Sequence, residues 1–259
     1  MRTLEGRRIL ITRPQDQAGE LSRRLSAEGA IPVIFPTIRI APPLDYEPLE
    51  RAIHDLRRFD WVIFTSANGV DAFWERLSAA GLDASALAGV KVASIGPATR
   101  ASLAKRGVQA SFTPPRYVAE EIAAGIGDVR GRAILLPRAH IARPALAQEL
   151  RRKGATVTEV VAYRTLTAEP APEALVELER GLDAVVFTSS STVTGLFEIL
   201  GPRAQNILKD AVIACIGPIT AQTARERNLR VSITAQEYTS TGLVRALIDY
   251  YRSQKEGSL

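Results

Sequence analysis

The chain has 259 residues, enough for two domains of ordinary size, and its 46% hydrophobic and 24% charged content is typical of a globular protein. No apolar run approaches the roughly 18 residues that cross a bilayer, and the charged residues 1–8 do not resemble a signal peptide. A single cysteine, Cys215, excludes an internal disulfide, so we expect a small core residue in a reducing cytoplasm. The net charge is +5, and only five of the 33 basic residues are lysines. This arginine excess reflects either genome composition or a preference for anionic ligands.

Apolar, β-branched runs alternate with helical segments along the whole chain. The predicted strands are 8–12, 31–35, 61–65, 90–95, 108–112, 132–136, 183–188, 211–216 and 229–233. The predicted helices are 14–29, 47–57, 68–80, 97–106, 118–126, 142–152, 172–180, 192–200, 203–208, 218–227 and 240–252. Apolar strands that alternate with helices indicate parallel sheets covered on both faces. We therefore predict an α/β fold with doubly wound sheets.

Two internal repeats suggest two similar domains that face one ligand. Residues 62–69 and 93–99 recur as 185–192 and 214–220, and residues 7–40 recur as 131–166. The chain is thus a short unit, a long unit, a short unit and a long unit. Either each short unit joins the long unit that follows it, or the two inner units form a continuous domain inserted in an outer one. The proline-rich segments 36–43 and 163–172 are the candidate connectors.

Most predicted strands end in small or hydroxylated residues where a helix begins. These turns are 12–14, 65–69, 95–99, 188–191 and 216–220. Backbone N–H groups and the positive end of a helix dipole make such turns anion sites, although the same residues also serve as ordinary N-caps. A further turn of this kind spans 238–242, with Arg116-Tyr117 as its counterpart in the inner half.

Other familiar chemistry is missing from the sequence. It has no Gly-x-Gly-x-x-Gly, no Walker loop and no Gly-x-Ser-x-Gly, which disfavours dinucleotide, NTP and serine-hydrolase chemistry. The only histidines, His54 and His140, are expected at the surface, so we predict no metal site. With 6% aromatic residues and no basic-aromatic strip, we expect no nucleic-acid partner.

Tyr163 and Arg138 are the side chains that could act beyond these turns. Tyr163 lies at a connector, where it either packs with its hydroxyl on backbone or acts as a neutral donor that helps a hydroxyl group leave. Arg138 follows an apolar strand and either contacts a carboxylate or forms a surface salt bridge.

In their order and spacing, these motifs resemble those of the uroporphyrinogen-III synthase family over residues 7–251. The resemblance rests on 12–14, 64–70, 95–99, 163–165, 187–190 and 216–220. It implies two α/β domains joined by a two-stranded connector. The inner domain would span 39–164, the outer domain 1–36 with 168–259, and the connectors 36–39 and 164–168.

The resemblance also implies a lyase reaction without a cofactor. Linear hydroxymethylbilane, which carries eight carboxylates, would lose water and close with its last ring inverted, through a spiro intermediate, to uroporphyrinogen III. Tyr163 and Thr220 would be the catalytic residues of this step in haem and other tetrapyrrole biosynthesis. The substrate-binding residues would be Thr12, Arg13, Ser66, Ala67, Asn68, Ile95, Gly96, Arg138, Ser189, Ser190, Gly217, Pro218, Ile219, Tyr238 and Thr239.

We expect a cytoplasmic monomer that takes a small-molecule substrate and has no membrane partner. Functional coupling to hydroxymethylbilane synthase is a further expectation. The alternative from a different class is a non-catalytic two-domain module that binds a small anion through the same turns and has no need of Tyr163. Product analysis with hydroxymethylbilane separates the two.

Overall fold

A computed structural model describes residues 2–115 and 119–256. Its strands are β1 Arg8–Ile11, β2 Ile31–Ile34, β3 Ile38–Ala41, β4 Trp61–Phe64, β5 Lys91–Ser94, β6 Ala133–Ala139, β7 Thr156–Thr167, β8 Ala184–Phe187, β9 Val212–Cys215 and β10 Val231–Thr234. Its helices are α1 Gly19–Ala27, α2 Glu47–His54, α3 Ala67–Ala79, α4 Pro97–Ala104, α5 Ala119–Gly125, α6 Ala145–Arg152, α7 Pro172–Glu179, α8 Ser190–Leu200, α9 Arg203–Leu208, α10 Pro218–Glu226 and α11 Ser240–Glu256.

The described residues divide into two compact units. The outer unit contains the chain up to Arg39 and from Leu166 onward, and the inner unit is Ile40–Thr165. The sequence led us to expect an outer domain of 1–36 with 168–259 and an inner domain of 39–164. These domain bounds stay a prediction.

The outer unit is a five-stranded parallel sheet in the order β10-β9-β8-β1-β2. Successive side chains of a strand point to opposite faces, so Leu10 packs on one face and Ile9 and Ile11 on the other. The first face is covered by α7, α8, α9 and α10, and the second by α1 and α11. This strand order is that of flavodoxin-like doubly wound sheets, whose direction of winding reverses at one point, here between β1 and β8.

The inner unit repeats this arrangement with its segments in a different chain order. Its sheet runs β3-β7-β6-β4-β5, and the β7-β6, β6-β4 and β4-β5 pairs are parallel. Helices α2, α3 and α4 cover one face, and α5 and α6 cover the other. Strands β6 and β4 stand where β1 and β8 stand in the outer unit. The predicted α/β fold with helices on both faces of parallel sheets is therefore confirmed.

Several local predictions differ from the structure. The predicted strand 108–112 is wrong, since only Phe112 forms a single parallel bridge, with Ala93, before two prolines follow. The connector segments 36–43 and 163–172 contain β3 and the end of β7, which the proline content concealed. The first helix begins at Gly19 rather than at Pro14, after a short 3-10 turn. Residue 118 of the predicted helix 118–126 and the Arg116-Tyr117 turn lie outside the described residues.

Candidate functional site

In the inner unit, Ser66 follows the end of β4 and lies beside Tyr163 of β7, which pairs with Ala139 at the end of β6. Ser66 is the N-cap of α3 because its extended backbone lets the side chain accept the N–H of Gly69, with Oγ and N 2.9 Å apart. The same Oγ lies 2.9 Å from the Tyr163 hydroxyl. These two predicted site residues are 97 positions apart in the chain, and the parallel sheet aligns their strand ends.

The Tyr163 phenol is held in its neutral form. Only 7% of the residue is exposed. Burial raises the pKa of Tyr163 above its ordinary value, although hydrogen bonds with Ser66 and Asn68 act in the opposite direction. A buried, neutral hydroxyl at a strand end is a proton or hydrogen-bond donor through the whole neutral pH range.

Gly69, which the sequence analysis did not single out, makes room for this hydroxyl. A Cβ at position 69 would lie 3.1 Å from Ser66 Oγ, 3.3 Å from the Pro137 carbonyl and 3.9 Å from the Tyr163 ring. The first two distances are shorter than ordinary carbon contacts, so a larger residue would disturb the Ser66–Tyr163 pair. Glycine at position 69 thus allows this close packing.

In the outer unit, a threonine stands at the position that corresponds to Tyr163. Strand β7 slips by one residue against β6 after Arg138, so the repeat aligns Tyr163 with Thr37. The Thr37 hydroxyl is fully buried, and its single proton has two carbonyl acceptors within reach, that of Thr192 at 2.9 Å and that of Thr12 at 3.1 Å. Thr192 itself stands at the repeat position of Gly69. In the outer unit the Thr37 hydroxyl is therefore bonded within the unit, whereas the inner unit has the Tyr163 phenol at the aligned position.

The other predicted residues of the inner edge occupy strand ends as expected. Ala67 and Asn68 lie in the first turn of α3, and Gly96 is the N-cap of α4 directly after Ile95. Arg138, near the end of β6, pairs with Glu159 and donates to the Ala142 carbonyl. Burial lowers the pKa of Arg138, and the Arg151 charge adds to this effect.

The outer edge also collects its predicted residues, and most of their side chains have partners. Ser189 caps α8 by accepting the Thr192 N–H, and Ser190 Oγ donates to the Ile219 carbonyl. The Tyr238 ring packs over Gly217, where a Cβ would be 3.4 Å from the ring, and Thr239 Oγ1 accepts the Gly242 N–H. Pro218 is exposed in the first turn of α10.

Thr12 and Thr220 are two predicted residues of this edge that are buried. Thr12 is fully buried and donates to the Val186 carbonyl 2.9 Å away. Thr220 is 5% exposed in the first turn of α10. The Thr12 hydroxyl therefore holds β1 against β8.

Arg13 is the cation of the outer edge. It donates to Ser240 Oγ, at the start of α11, over 3.2 Å. Burial lowers the pKa of the guanidinium, while the negative charges of Glu20 and Asp16 act in the opposite direction. Within the described part of the chain it forms no ion pair. A desolvated cation beside the positive end of a helix favours a nearby anion.

Metal and membrane features are absent from the described ranges. Residues 2–115 and 119–256 contain no cluster of three or more His, Cys, Asp or Glu side chains suited to a metal ion. Over the same ranges, no helix combines the length and apolar character that a bilayer crossing requires.

Comparison with known proteins identifies the family. The family model described as "Uroporphyrinogen-III synthase HemD" matches residues 19–245. The chain belongs to this family. The resemblance in the strand-end motifs is thereby confirmed over most of the chain.

Full-length relatives and solved structures of this family agree with the assignment. The uroporphyrinogen-III synthase of Synechococcus elongatus is 35% identical over 257 residues, which cover 96% of this chain and 97% of that protein. The uroporphyrinogen-III synthase of Chlorobaculum parvum is 28% identical over 253 residues, which cover 93% of this chain and 98% of that protein. A crystal structure of mutant uroporphyrinogen III synthase from Thermus thermophilus has a TM-score of 0.69 at 21% identity, covering 97% of this chain and 100% of that one. At this identity the structural likeness supports the fold.

Proposed function

We propose that this chain is a uroporphyrinogen-III synthase, a cyclising lyase that converts linear hydroxymethylbilane into uroporphyrinogen III. The family match over residues 19–245 carries the proposal. In the reaction, the C–O bond of the hydroxymethyl group breaks, and a C–C bond forms to the substituted carbon of the last ring to give the spiro intermediate. The original C–C bond between this ring and the chain then breaks, and a new one forms at the free carbon of the inverted ring. That carbon loses its proton, so hydroxide and a proton leave together as water. Atoms and electrons balance within the substrate, so the step requires no redox or group-transfer partner.

Tyr163 is the group we assign to loss of the hydroxyl. Leaving hydroxide needs a proton or a strong hydrogen bond, and the buried Tyr163 phenol is neutral and oriented by Ser66 at 2.9 Å. The extended cation that remains would be stabilised by the substrate's own carboxylates. Thr220 is our second candidate, on the resemblance to the family. Its burial in the first turn of α10 makes it a weaker candidate than Tyr163.

The remaining site residues are proposed to bind the substrate's carboxylates. Each unit supplies strand ends at which helices α3, α4, α8, α10 and α11 begin, so amide N–H groups and helix dipoles are available there. Arg13 and Arg138 add a cation in each unit. Spreading eight carboxylates over many donors would hold the chain folded so that the inverted ring carbon attacks, which is catalysis by orientation.

The cellular setting is also a proposal. We propose a cytoplasmic monomer that acts in tetrapyrrole biosynthesis. Hydroxymethylbilane closes spontaneously to the uninverted isomer, so functional coupling to hydroxymethylbilane synthase would limit that loss.

Product analysis tests the proposed function. Hydroxymethylbilane is generated in situ by its upstream deaminase, with and without this protein, and the oxidised products are separated by chromatography. Type III isomer in excess of the protein-free control is expected. Type I isomer alone, with the protein shown to be folded, would instead support the non-catalytic anion-binding module.

A further inference from the structure

The inner unit contains a small pocket on the face of its sheet that is opposite to Tyr163. It has a volume of about 170 Å³ and lies at the carboxyl ends of β4, β5 and β6. Thr65, Ile95 and Arg138 line it from the strand ends, Leu136 from within β6, and Arg143 and Leu146 from the α6 side. Strands β4 and β6 flank the point where the winding of this sheet reverses, which is where open α/β sheets bind ligands.

The two faces of the sheet separate this pocket from the proposed catalytic pair. Ile63 and Leu136 belong to the core under α5 and α6, and side chains two residues further along each strand share that face. Tyr163 instead packs in the core under α2, α3 and α4. A group bound in the pocket therefore contacts Arg138 without touching the Tyr163 hydroxyl.

The charges around the pocket favour an anion. Arg138 is largely buried, with 13% of its side chain exposed, and it shares the carboxylate of Glu159 with Arg151, whose guanidinium is 2.9 Å away from that carboxylate. Two guanidinium groups thus share one carboxylate, and the guanidinium of Arg143 also lines the pocket. Arg138 has five N–H donors, and its recorded acceptors are Glu159 and the Ala142 carbonyl. Donors remain for a further carboxylate, which arginine binds well.

The size and the walls of the pocket select the kind of anion. A water molecule occupies about 30 Å³ in the liquid. By this measure the pocket has room for a group of roughly five or six non-hydrogen atoms. Ile95, Leu136 and Leu146 form an apolar wall beside the arginines. Such a site fits a short alkyl carboxylate whose methylene groups lie on the wall and whose oxygens meet Arg138 and Arg143.

We infer that this pocket binds one acetate or propionate arm of the substrate, with Arg138 and Arg143 as its carboxylate ligands. This inference rests on the proposed function, since it takes its ligand from the substrate of that reaction. It adds Arg143 and an apolar wall to the binding residues and gives them a role in binding that is separate from loss of the hydroxyl.

Binding of the eight-carboxylate product, uroporphyrinogen III, tests the inference without requiring turnover. Titration calorimetry on the full chain would compare wild type with Arg138→Met and Arg143→Met. Arg132→Met is the matched control, because Arg132 is an exposed arginine of the same unit that pairs with Asp60 at the amino end of β6. We expect the dissociation constant to rise about fivefold to tenfold in each pocket variant and to stay within twofold in the control. Arg143 is exposed, so its variant remains informative even if Arg138→Met fails to fold.

The outcomes separate this inference from the proposed function. Unchanged binding in Arg143→Met, or equal weakening in Arg132→Met, would overturn the pocket assignment even if the wild type makes the type III isomer. Arginine-dependent binding in a wild type that makes no type III isomer would sustain the pocket and refute the synthase. In active variants, a raised KM with kcat within twofold of wild type is expected, because the pocket does not contact the Tyr163 hydroxyl.

Discussion

Removing the Tyr163 hydroxyl should slow the reaction moderately and leave the fold intact. In Tyr163→Phe the ring still fills its site, since the residue is 7% exposed, and Ser66 Oγ still accepts the Gly69 N–H. The variant loses the hydrogen bonds of the hydroxyl with Ser66 and Asn68, so the free energy of unfolding should fall by about 0.5–1.5 kcal/mol for each of them. Loss of one donor to the leaving group corresponds to about 1.4 kcal/mol, or a roughly tenfold lower kcat. This lies below the 10²–10⁴-fold that a required general acid supplies.

The assay is the initial rate of type III isomer formation at saturating hydroxymethylbilane, corrected for spontaneous closure. Tyr251→Phe is the matched control, because Tyr251 is also 7% exposed and its hydroxyl donates to the Asp183 carbonyl at 2.8 Å, at the amino end of the outer sheet. We expect the control to lose similar stability and to keep its rate. Full activity in Tyr163→Phe, or equal slowing in both variants, would refute the role assigned to Tyr163.

Packing, titration and the spread of binding groups give three further predictions. Gly195→Ala would place a Cβ 2.4 Å from the carbonyl oxygen of Thr37. The urea concentration at the midpoint of unfolding should therefore fall, by an amount equivalent to about 1–3 kcal/mol. An unchanged midpoint would contradict this packing. Burial raises the pKa of the Cys215 thiol from 9.0 to about 12. The unfolded chain therefore loses this proton first, so stability that is present below pH 9 should be lost as the pH rises towards 12. A Cys215→Ala variant that loses stability just as steeply would show that Cys215 is not the cause. Ser189→Ala and Arg13→Met should each lower kcat/KM without abolishing activity, and an alanine scan that finds an all-or-none residue outside Tyr163 would contradict distributed binding.

Most strands and helices were predictable because each buried strand has a compact apolar run. Strand β4 reads Trp-Val-Ile-Phe and is buried at every position, which is typical of a parallel sheet covered on both faces. Strand β7 was missed because its first residues, Thr156–Glu159, are mostly polar and exposed, and β3 because it is short and lies between Pro36 and Pro42. Backbone pairing rather than side-chain pattern places these two strands.

The strand-end turns of the site were predictable, and the contacts between them were not. Ser66 is a recognisable N-cap, yet its partner Tyr163 is 97 residues away, and only the order of the sheet strands brings the two together. The need for Gly69 depends on the packing of the Tyr163 ring. One signal was available, since the repeat aligns Thr37 with Tyr163 and so marks the position where the two units differ.

The isomer composition of the product tests the central claim most directly. With a fixed flux of hydroxymethylbilane, the fraction of type III isomer should rise with the concentration of this protein until the spontaneous type I product is nearly absent. A fraction that stays at the level of the protein-free control at every concentration would contradict the assignment of this chain as a uroporphyrinogen-III synthase.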